Sequence, residues 1–379
     1  MEPGQRYRRV VVKLGTSLLT GGADRLDPEV MASLVAQVVA LHREGRDVLV
    51  VSSGAVAAGR HALEGWQERE QREGRAAVPL RQALAAVGQS RLMHAYEQLF
   101  AQNSIPVAQA LLTRGDVADR VSYLNIRNLL LGLCALRVVT IINENDVVAV
   151  EELEGEVIGD NDTLSALVAN IVDADLLVLL GDVDGLYTAD PHTDADARLV
   201  PVVEDADAVE ARATGSWGGR GRGGMVTKLG AARLATASGT TVVIAGGRVP
   251  DVLTRLADGE ALGTTFPSKA SHKESRQRWM LSVITTQGAL VVDAGAVRAL
   301  HENGGSLLPA GVFEVRGTFQ RGEVAPVLGP GGERVAAGIV NYDAADVRRI
   351  LGTRSDRIAE TLGHHYGDEV IHRNNMVPL

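Results

Sequence analysis

The chain is 379 residues long, 45% hydrophobic and 22% charged, with a formal net charge of -9. That composition supports full cores in two domains and excludes a disordered polymer, and the acidic balance offers nucleic acid or an anionic membrane no general attraction. A single cysteine, Cys134, excludes internal disulfides and thiol-rich metal sites and points to a reducing cytoplasm.

Residues 1 to 9 are basic, but the apolar run Val10 to Val12 stops at Lys13, too short for a signal-peptide core. No stretch reaches the roughly 20 apolar residues of a membrane span. The β-branched run Val10 to Lys13 predicts a first strand, and the Ala/Leu-rich stretch Pro28 to Glu44 a helix. The alternation continues with strand Val48 to Val51, helix Leu80 to Ala101, strand Val107 to Ala110, helix Val121 to Leu136 and strand Val138 to Ile142. It ends with helix Asp162 to Val172, strand Leu176 to Leu180, helix Met225 to Ala237 and strand Thr241 to Ile244. Strands this apolar are buried on both faces, so the expectation is an α/β fold with a mostly parallel sheet in an αβα sandwich. The mixed charges of Glu64 to Arg75 read as a solvated loop or short helix. Near Gly263 the pattern gives way to short strands and Gly-rich turns, such as Gly304-Gly305 and Gly329 to Gly332. A first domain over 1–262, a linker over 263–277 and a small β-rich domain over 278–379 follow.

Glycine-bearing turns fall where strands end, the edge at which open α/β sheets bind ligands. They are Lys13-Leu14-Gly15-Thr16-Ser17, Ser52-Ser53-Gly54-Ala55 and Gly223-Gly224-Met225-Val226-Thr227-Lys228, the last opening a helix. Glycines let backbone N–H groups close on phosphate oxygens, and a helix N-terminus adds positive charge. Only Lys13, Lys228, Lys269 and Lys273 are lysines among 38 basic residues, and two of these four sit in such turns. A compact ammonium in place of a guanidinium suits phosphate handling there. Gly219 to Gly224 satisfies G-x-G-x-x-G, but no strand precedes it, so it reads as a loop near a phosphate site and not as a dinucleotide fingerprint. Neither a P-loop nor an H-E-x-x-H zinc motif is present. Acidic and amide residues collect at Asn143-Glu144-Asn145-Asp146 and Gly159-Asp160-Asn161-Asp162. Such turns suit an amino group, Mg²⁺ or a lysine, while Asp162 serves equally as an N-cap and Ser53 as part of a turn.

Taken together, Lys13-Leu-Gly15-Thr-Ser17, Ser53-Gly54 to Gly59, Ala86-Val-Gly88-Gln-Ser-Arg91, Ile142-Asn143-Glu-Asn-Asp146, Gly159 to Asp162, Gly185-Leu-Tyr187 to Pro191 and Gly223-Gly-Met225-Val-Thr-Lys228 resemble the amino-acid kinase family, and within it the glutamate kinases, over nearly the whole chain. Ser306 to Gly311 and Phe319-Gln-Arg-Gly322-Glu resemble the PUA module that follows many such kinases. The resemblance implies ATP-dependent phosphorylation of the γ-carboxylate of glutamate, with Mg²⁺, as the first step of proline synthesis. By matching positions, Lys13 and Lys228 neutralise the transferring phosphoryl group and Asp162 holds them. Ser53, Gly54, Asp146 and Asn161 bind glutamate. The nucleotide lies along Lys13, Gly15, Gly181, Asp182 and the segment Arg222, Gly223, Gly224, Met225, Val226, Thr227 and Lys228. Relatives generally carry Thr or Ser where this chain has Gly181, so a hydroxyl contact to ATP is missing. The resemblance further implies a homo-oligomer, feedback by proline and transfer of the labile product to glutamyl-phosphate reductase.

Sibling kinases acting on aspartate, acetylglutamate, carbamate or a nucleoside monophosphate are the nearest alternatives. PUA domains elsewhere bind RNA, but residues 288 to 366 hold eight Arg, no Lys and nine Asp plus Glu, which is no basic footprint.

Overall fold

The computed structural model describes residues 7–63, 65–73, 78–148, 161–189, 191, 193–204, 222–269, 271–302 and 304–379. The Gly159-Asp160 half of the second acidic turn, Asp190 and the Gly219 to Gly221 part of the glycine run lie outside them. The chain divides into two units, Met1–Asp116 with Arg127–Ser271, and Val117–Ile126 with His272–Leu379.

The first unit begins with β1 (Arg9–Leu14), α1 (Thr16–Thr20) and α2 (Pro28–Arg43). Asp27 caps α2, accepting from the backbone N–H groups of Glu29 and Val30 at 3.0 and 3.2 Å, and Pro28 takes the first helical position, where no N–H is needed. There follow β2 (Asp47–Ser52), α3 (Ala55–Ala62), α4 (Trp66–Glu73), α5 (Val78–Ala101), β3 (Val107–Leu112), α6 (Arg114–Ala118), α7 (Arg120–Ala135) and β4 (Val139–Glu144), the end of α6 and residues 120–126 of α7 being counted with the second unit. Next come α8 (Asn161–Val172), β5 (Leu176–Gly181), α9 (Arg222–Ala237), β6 (Thr241–Gly246), α10 (Val252–Ala257) and β7 (Thr264–Phe266). The strands form one sheet in the order β3-β4-β2-β1-β5-β6-β7. All neighbours run parallel except β7, which pairs antiparallel with β6. Every strand and helix expected in this unit is present, within a few residues at the ends.

Strand alternation sorts the apolar side chains onto two faces. Val10, Val12, Val48, Val50, Val178 and Leu180 join one core with α2, α5 and α10, and α8 and α9 pack on the other side. Each such fully buried aliphatic side chain contributes about 1.5–3 kcal/mol. Helices α1, α3, α6 and α10 and the three-residue strand β7, which falls in the segment expected as linker, are additions to the expected pattern, too short to show a periodic stripe. The charged Glu64 to Arg75 patch contains α4, and its Trp66 is buried against Leu80 and Leu84 of α5.

In the second unit, α11 (His272–Val283), β8 (Gly288–Val292), α12 (Ala294–Glu302), β9 (Val312–Gly317), β10 (Val324–Leu328), β11 (Arg334–Ile339), α13 (Ala344–Arg349), α14 (Ile358–Leu362) and β12 (Met376–Pro378) follow in order. The sheet order is β12-β11-β10-β8-β9. The Gly-rich turn between β10 and β11 closes with Gly329 N–H donating to the Glu333 carbonyl at 2.8 Å, and Gly332 takes a φ of 84° that favours glycine. Leu124, from the early segment, is buried with Met280, Val324, Ala337, Ile339 and Val377.

Candidate active site

The position of Lys13 follows from the alternation of β1. Val10, Val12 and Leu14 face the α2 side, so Val11 and Lys13 face the other layer, where α8 packs against β1. Asp162 lies there, in the first turn of α8 and fully buried. Its Oδ1 is 2.6 Å from Lys13 Nζ, and its Oδ2 is 3.1 Å from Lys228 Nζ. Thr227 Oγ1 donates to the same Oδ2 at 3.0 Å. Lys228 reaches back along α9 and also donates to the Gly224 carbonyl at 3.2 Å. Because α8 begins at Asn161, Asp162 lies inside the helix and not at its cap, and both its oxygens serve the lysines and Thr227.

Burial pushes the Asp162 carboxyl up, but the ammonium groups of Lys13 and Lys228 outweigh it and hold the group below the usual carboxylate range. Two ammonium groups around one carboxylate leave local positive charge in a chain that is acidic overall. The two Lys-Leu-Gly settings, alike in sequence, differ in structure: Lys13 lies near the end of a strand and Lys228 inside a helix. What they share is the carboxylate.

Glycines keep the approach to these ammonium groups open. A Cβ on Gly15 would lie 3.7 Å from Lys13 Nζ, and one on Gly181 would lie 3.5 Å from Lys228 Cε. Gly181 ends β5, and Asp182 follows it, exposed. Arg222, Gly223, Gly224, Met225 and Val226 form the first turn of α9, so backbone N–H groups and the positive end of a 16-residue helix stand beside Lys228.

A second cluster lies at the ends of β2 and β4. Asn161 Nδ2 donates to Ser53 Oγ at 2.8 Å, to Asn143 Oδ1 at 3.0 Å and to the Ser52 carbonyl at 3.4 Å. Asp146 sits in the turn just after β4, half-buried. Gly54 takes a φ of 104°, and a Cβ there would come within 3.2 Å of Leu26. Behind this turn α3 and α5 meet at glycines: a Cβ on Gly59 would lie 1.9 Å from the Leu84 carbonyl oxygen, and one on Gly88 1.7 Å from that of Ala55. This close approach brings α5 up to the Ser53 turn, where Tyr96 OH and Ser52 Oγ share a buried 2.8 Å hydrogen bond.

The structure thus joins Lys13, Asp162, Thr227 and Lys228 in one group and Ser53 and Asn161 in another, and adjacent residues of α8, Asn161 and Asp162, link the two. Sequence reasoning did not assign roles to Asn143, Gln89 or Tyr96, although the first two lie within the segments that carry the family resemblance. Cys134 is buried, and burial pushes its thiol up to about 11, which removes it from consideration as a nucleophile.

The amino acid kinase family matches residues 8–246, and the PUA domain matches residues 288–362. The glutamate 5-kinase of Dehalococcoides mccartyi is 50% identical over 377 residues, covering 99% of this chain and 100% of that protein. Those of Herpetosiphon aurantiacus and Deinococcus radiodurans are 49% and 48% identical, each over 98% of this chain and over 98% and 100% of their own lengths. No helix among the described residues is long and apolar enough to cross a membrane. On the match of its larger domain and its near-complete alignment with these relatives, the chain belongs to the amino acid kinase family, with a PUA domain following the kinase fold.

Proposed function

We propose that the chain transfers the γ-phosphoryl group of ATP to the γ-carboxylate of glutamate, forming glutamyl 5-phosphate for proline synthesis in the cytoplasm. The convergence of Lys13 and Lys228 on the two oxygens of buried Asp162 carries this reading. A carboxylate is a nucleophile at neutral pH and needs no general base, so the work left to the protein is positioning and charge neutralisation. One carboxylate oxygen forms a bond to the γ-phosphorus while the bond to the bridging oxygen of ADP breaks. Lys13 and Lys228 face the charge that builds on the transferring group, and Asp162 holds them in place beforehand, so little reorganisation is required during reaction.

In this reading Gly15, Gly181, Asp182 and the first turn of α9 hold the nucleotide, and Ser53, Gly54, Asp146 and Asn161 hold glutamate. Among the described residues no three His, Cys, Asp or Glu gather as a metal site. Mg²⁺ in this proposal enters on the triphosphate with its own waters, the usual way this ion enters kinases. Residues 1–262 would be the catalytic domain and 278–379 an appended module. Proline, which has glutamate's α-carboxylate and amino group but no γ-carboxylate, would occupy the acceptor site unproductively. A homo-oligomer and hand-over of the labile product to glutamyl-phosphate reductase complete the proposal.

The test is incubation of the full chain with ATP, Mg²⁺ and glutamate, trapping the acyl phosphate with hydroxylamine, and comparison of ADP release with glutamate, aspartate, acetylglutamate, carbamate and a nucleoside monophosphate. Hydroxamate formation from glutamate, with ADP release far above that seen with the others, is expected. Preference for another acceptor would overturn the assignment.

A further inference from the structure

Backbone groups fix the orientation of three side-chain amides beside the acceptor turn. The Glu144 N–H can only donate, and it donates to Asn143 at 2.9 Å, so that atom is Oδ1. Asn143 Nδ2 is then turned the other way, toward Gln89, and the Gln89 atom it meets at 2.8 Å must be the acceptor Oε1. At the other end the Ser52 carbonyl can only accept, so the Asn161 atom facing it is Nδ2. The same nitrogen donates to Asn143 Oδ1 at 3.0 Å, which agrees with the first assignment. Every link is therefore determined by an unambiguous backbone donor or acceptor.

Two atoms are left over, Asn161 Oδ1 and Gln89 Nε2, and both are buried without a hydrogen-bond partner. A buried polar atom left unpaired costs about 1–3 kcal/mol, so such atoms in a binding region are commonly completed by ligand. Resting on the functional reading above, we infer that Gln89, acting through Asn143, is a positioning residue. It locks the amide of Asn161 with Oδ1 turned to accept from the substrate's α-ammonium group, so the site selects a free amino acid over a dicarboxylate without an amino group. Three elements contribute one amide each: α5 gives Gln89, β4 gives Asn143 and α8 gives Asn161. The contact of α5 with α3 at Gly59 and Gly88 holds the first of these in reach. Without the Gln89 acceptor, Asn143 Nδ2 is left unpaired and its amide is held only through Oδ1, by the Glu144 N–H. Asn161 Nδ2 then has a less firmly placed acceptor in Asn143 beside Ser53 Oγ and the Ser52 carbonyl, and its Oδ1 is held less firmly toward the ligand.

The test uses the full chain with glutamate and glutarate, which differ by the α-amino group. Binding of each is measured by calorimetry, with glutamate turnover and thermal unfolding in parallel. Gln89→Met and Gln89→Ala remove the acceptor that Asn143 needs, whereas Gln89→Glu retains it. In the first two variants, glutamate affinity is expected to fall on the order of ten-fold, the scale of a hydrogen bond to a charged group. Glutarate affinity and the KM for ATP should change little, so the preference for glutamate narrows by the same factor. Gln89→Glu should keep most of that preference. Equal weakening of both ligands, or an unchanged preference in the folded Met and Ala variants, overturns the inference. So does a Glu variant as impaired as Met, since that would make Gln89 Nε2 a direct ligand contact and not part of a positioning chain. If Met and Ala fail to fold, the Glu variant is judged against wild type, and a loss of about ten-fold in its preference for glutamate over glutarate overturns the inference. Wild-type chain that fails to turn over glutamate would remove the functional reading itself, a result distinct from wild-type activity with a preference indifferent to Gln89.

Discussion

Replacing Lys228 or Lys13 by Ala should separate two consequences of the same charge cluster. Each ammonium faces the charge that develops on the transferring phosphoryl group, and removing one such preorganised donor costs about 10²- to 10³-fold in turnover. At 1.36 kcal/mol per decade the lower bound is about 2.7 kcal/mol. Stability should respond unequally. Lys13 is 2.6 Å from Asp162, and its side chain is 5% exposed, while Lys228 is 3.1 Å away and 11% exposed. Loss of a buried partner costs about 3–5 kcal/mol when it leaves a charge uncompensated. Lys13→Ala should approach that range and Lys228→Ala fall below it, because Lys13 makes the closer and drier contact. Arg should be a poor substitute at either position, since a planar guanidinium cannot take the place of a compact ammonium between Asp162 and a phosphate. Hydroxamate-trapping kinetics with urea unfolding on the same samples give both numbers. Turnover within ten-fold of wild type in a folded Lys228→Ala protein would refute the role assigned to that residue.

Four further outcomes are expected. The folded carboxyl of Asp162 binds its proton less readily than the unfolded one, so its stabilisation is present above the ordinary carboxylate range near pH 3.9 and is lost as pH falls through the depressed folded value. The stability gap between wild type and Asp162→Asn should therefore be steady from pH 7 to about 5 and shrink in acid, and urea unfolding across pH that shows it widening would contradict the assignment. Gly181→Thr should restore a hydroxyl at the nucleotide edge without a clash, since the nearest atom to an added Cβ is 3.5 Å away. The KM for ATP should then fall by about two- to ten-fold, the range of one hydrogen bond, and an increase would show that the glycine is needed there. Deleting everything after residue 277 should leave kinase activity per folded molecule, but it uncovers Leu124, whose apolar partners Met280, Val324, Ala337, Ile339 and Val377 are removed. Aggregation relieved by Leu124→Gln is expected on light scattering, and a folded but inactive truncated chain would show that the module completes the site. Proline should inhibit less as glutamate rises, with Asn161→Ala shifting both affinities together, and inhibition indifferent to glutamate in steady-state rates would place proline elsewhere.

The parallel sheet was legible because its strands are continuous apolar runs. Val10 to Val12, Val48 to Val51 and Leu176 to Leu180 have no polar face, which in a chain with interleaved helices leaves burial between two layers as the consistent arrangement. The short elements were not legible for the complementary reason. Helix α3 is eight residues long, five of them Ala or Gly, and what holds it is the backbone contact at Gly59 and Gly88, which has no hydrophobic signature. The patch around Trp66 read as solvated because its charges outnumber its one large apolar residue, yet that residue is the one packed against Leu80 and Leu84. Grouping of Val117–Ile126 with His272–Leu379 was equally hidden, since the clustering of Leu124 with residues as distant in sequence as Val377 leaves no local periodicity.

At the site, sequence reasoning could find charge but not direction. Lys13 and Lys228 stood out because lysine is scarce in this chain, and a shared Lys-Leu-Gly context suggested a shared task. That context is coincidental in structure, one copy on a strand and one on a helix, and the task is shared only because both side chains reach Asp162. A carboxylate in a turn is ambiguous by composition: the same Asp serves as a cap, a metal ligand or a counter-ion, and only the start of α8 at Asn161 decides against the cap. The amides are harder still. Asn143, Gln89 and Asn161 each carry a donor and an acceptor, so residue identity leaves the polarity of the chain open, and it is settled by the Glu144 N–H and the Ser52 carbonyl, which belong to no motif. Lysine spacing therefore gives access to the phosphoryl half of the site, whereas the acceptor half depends on which backbone groups the folded sheet edge presents, and its selectivity becomes readable only once those groups are in place.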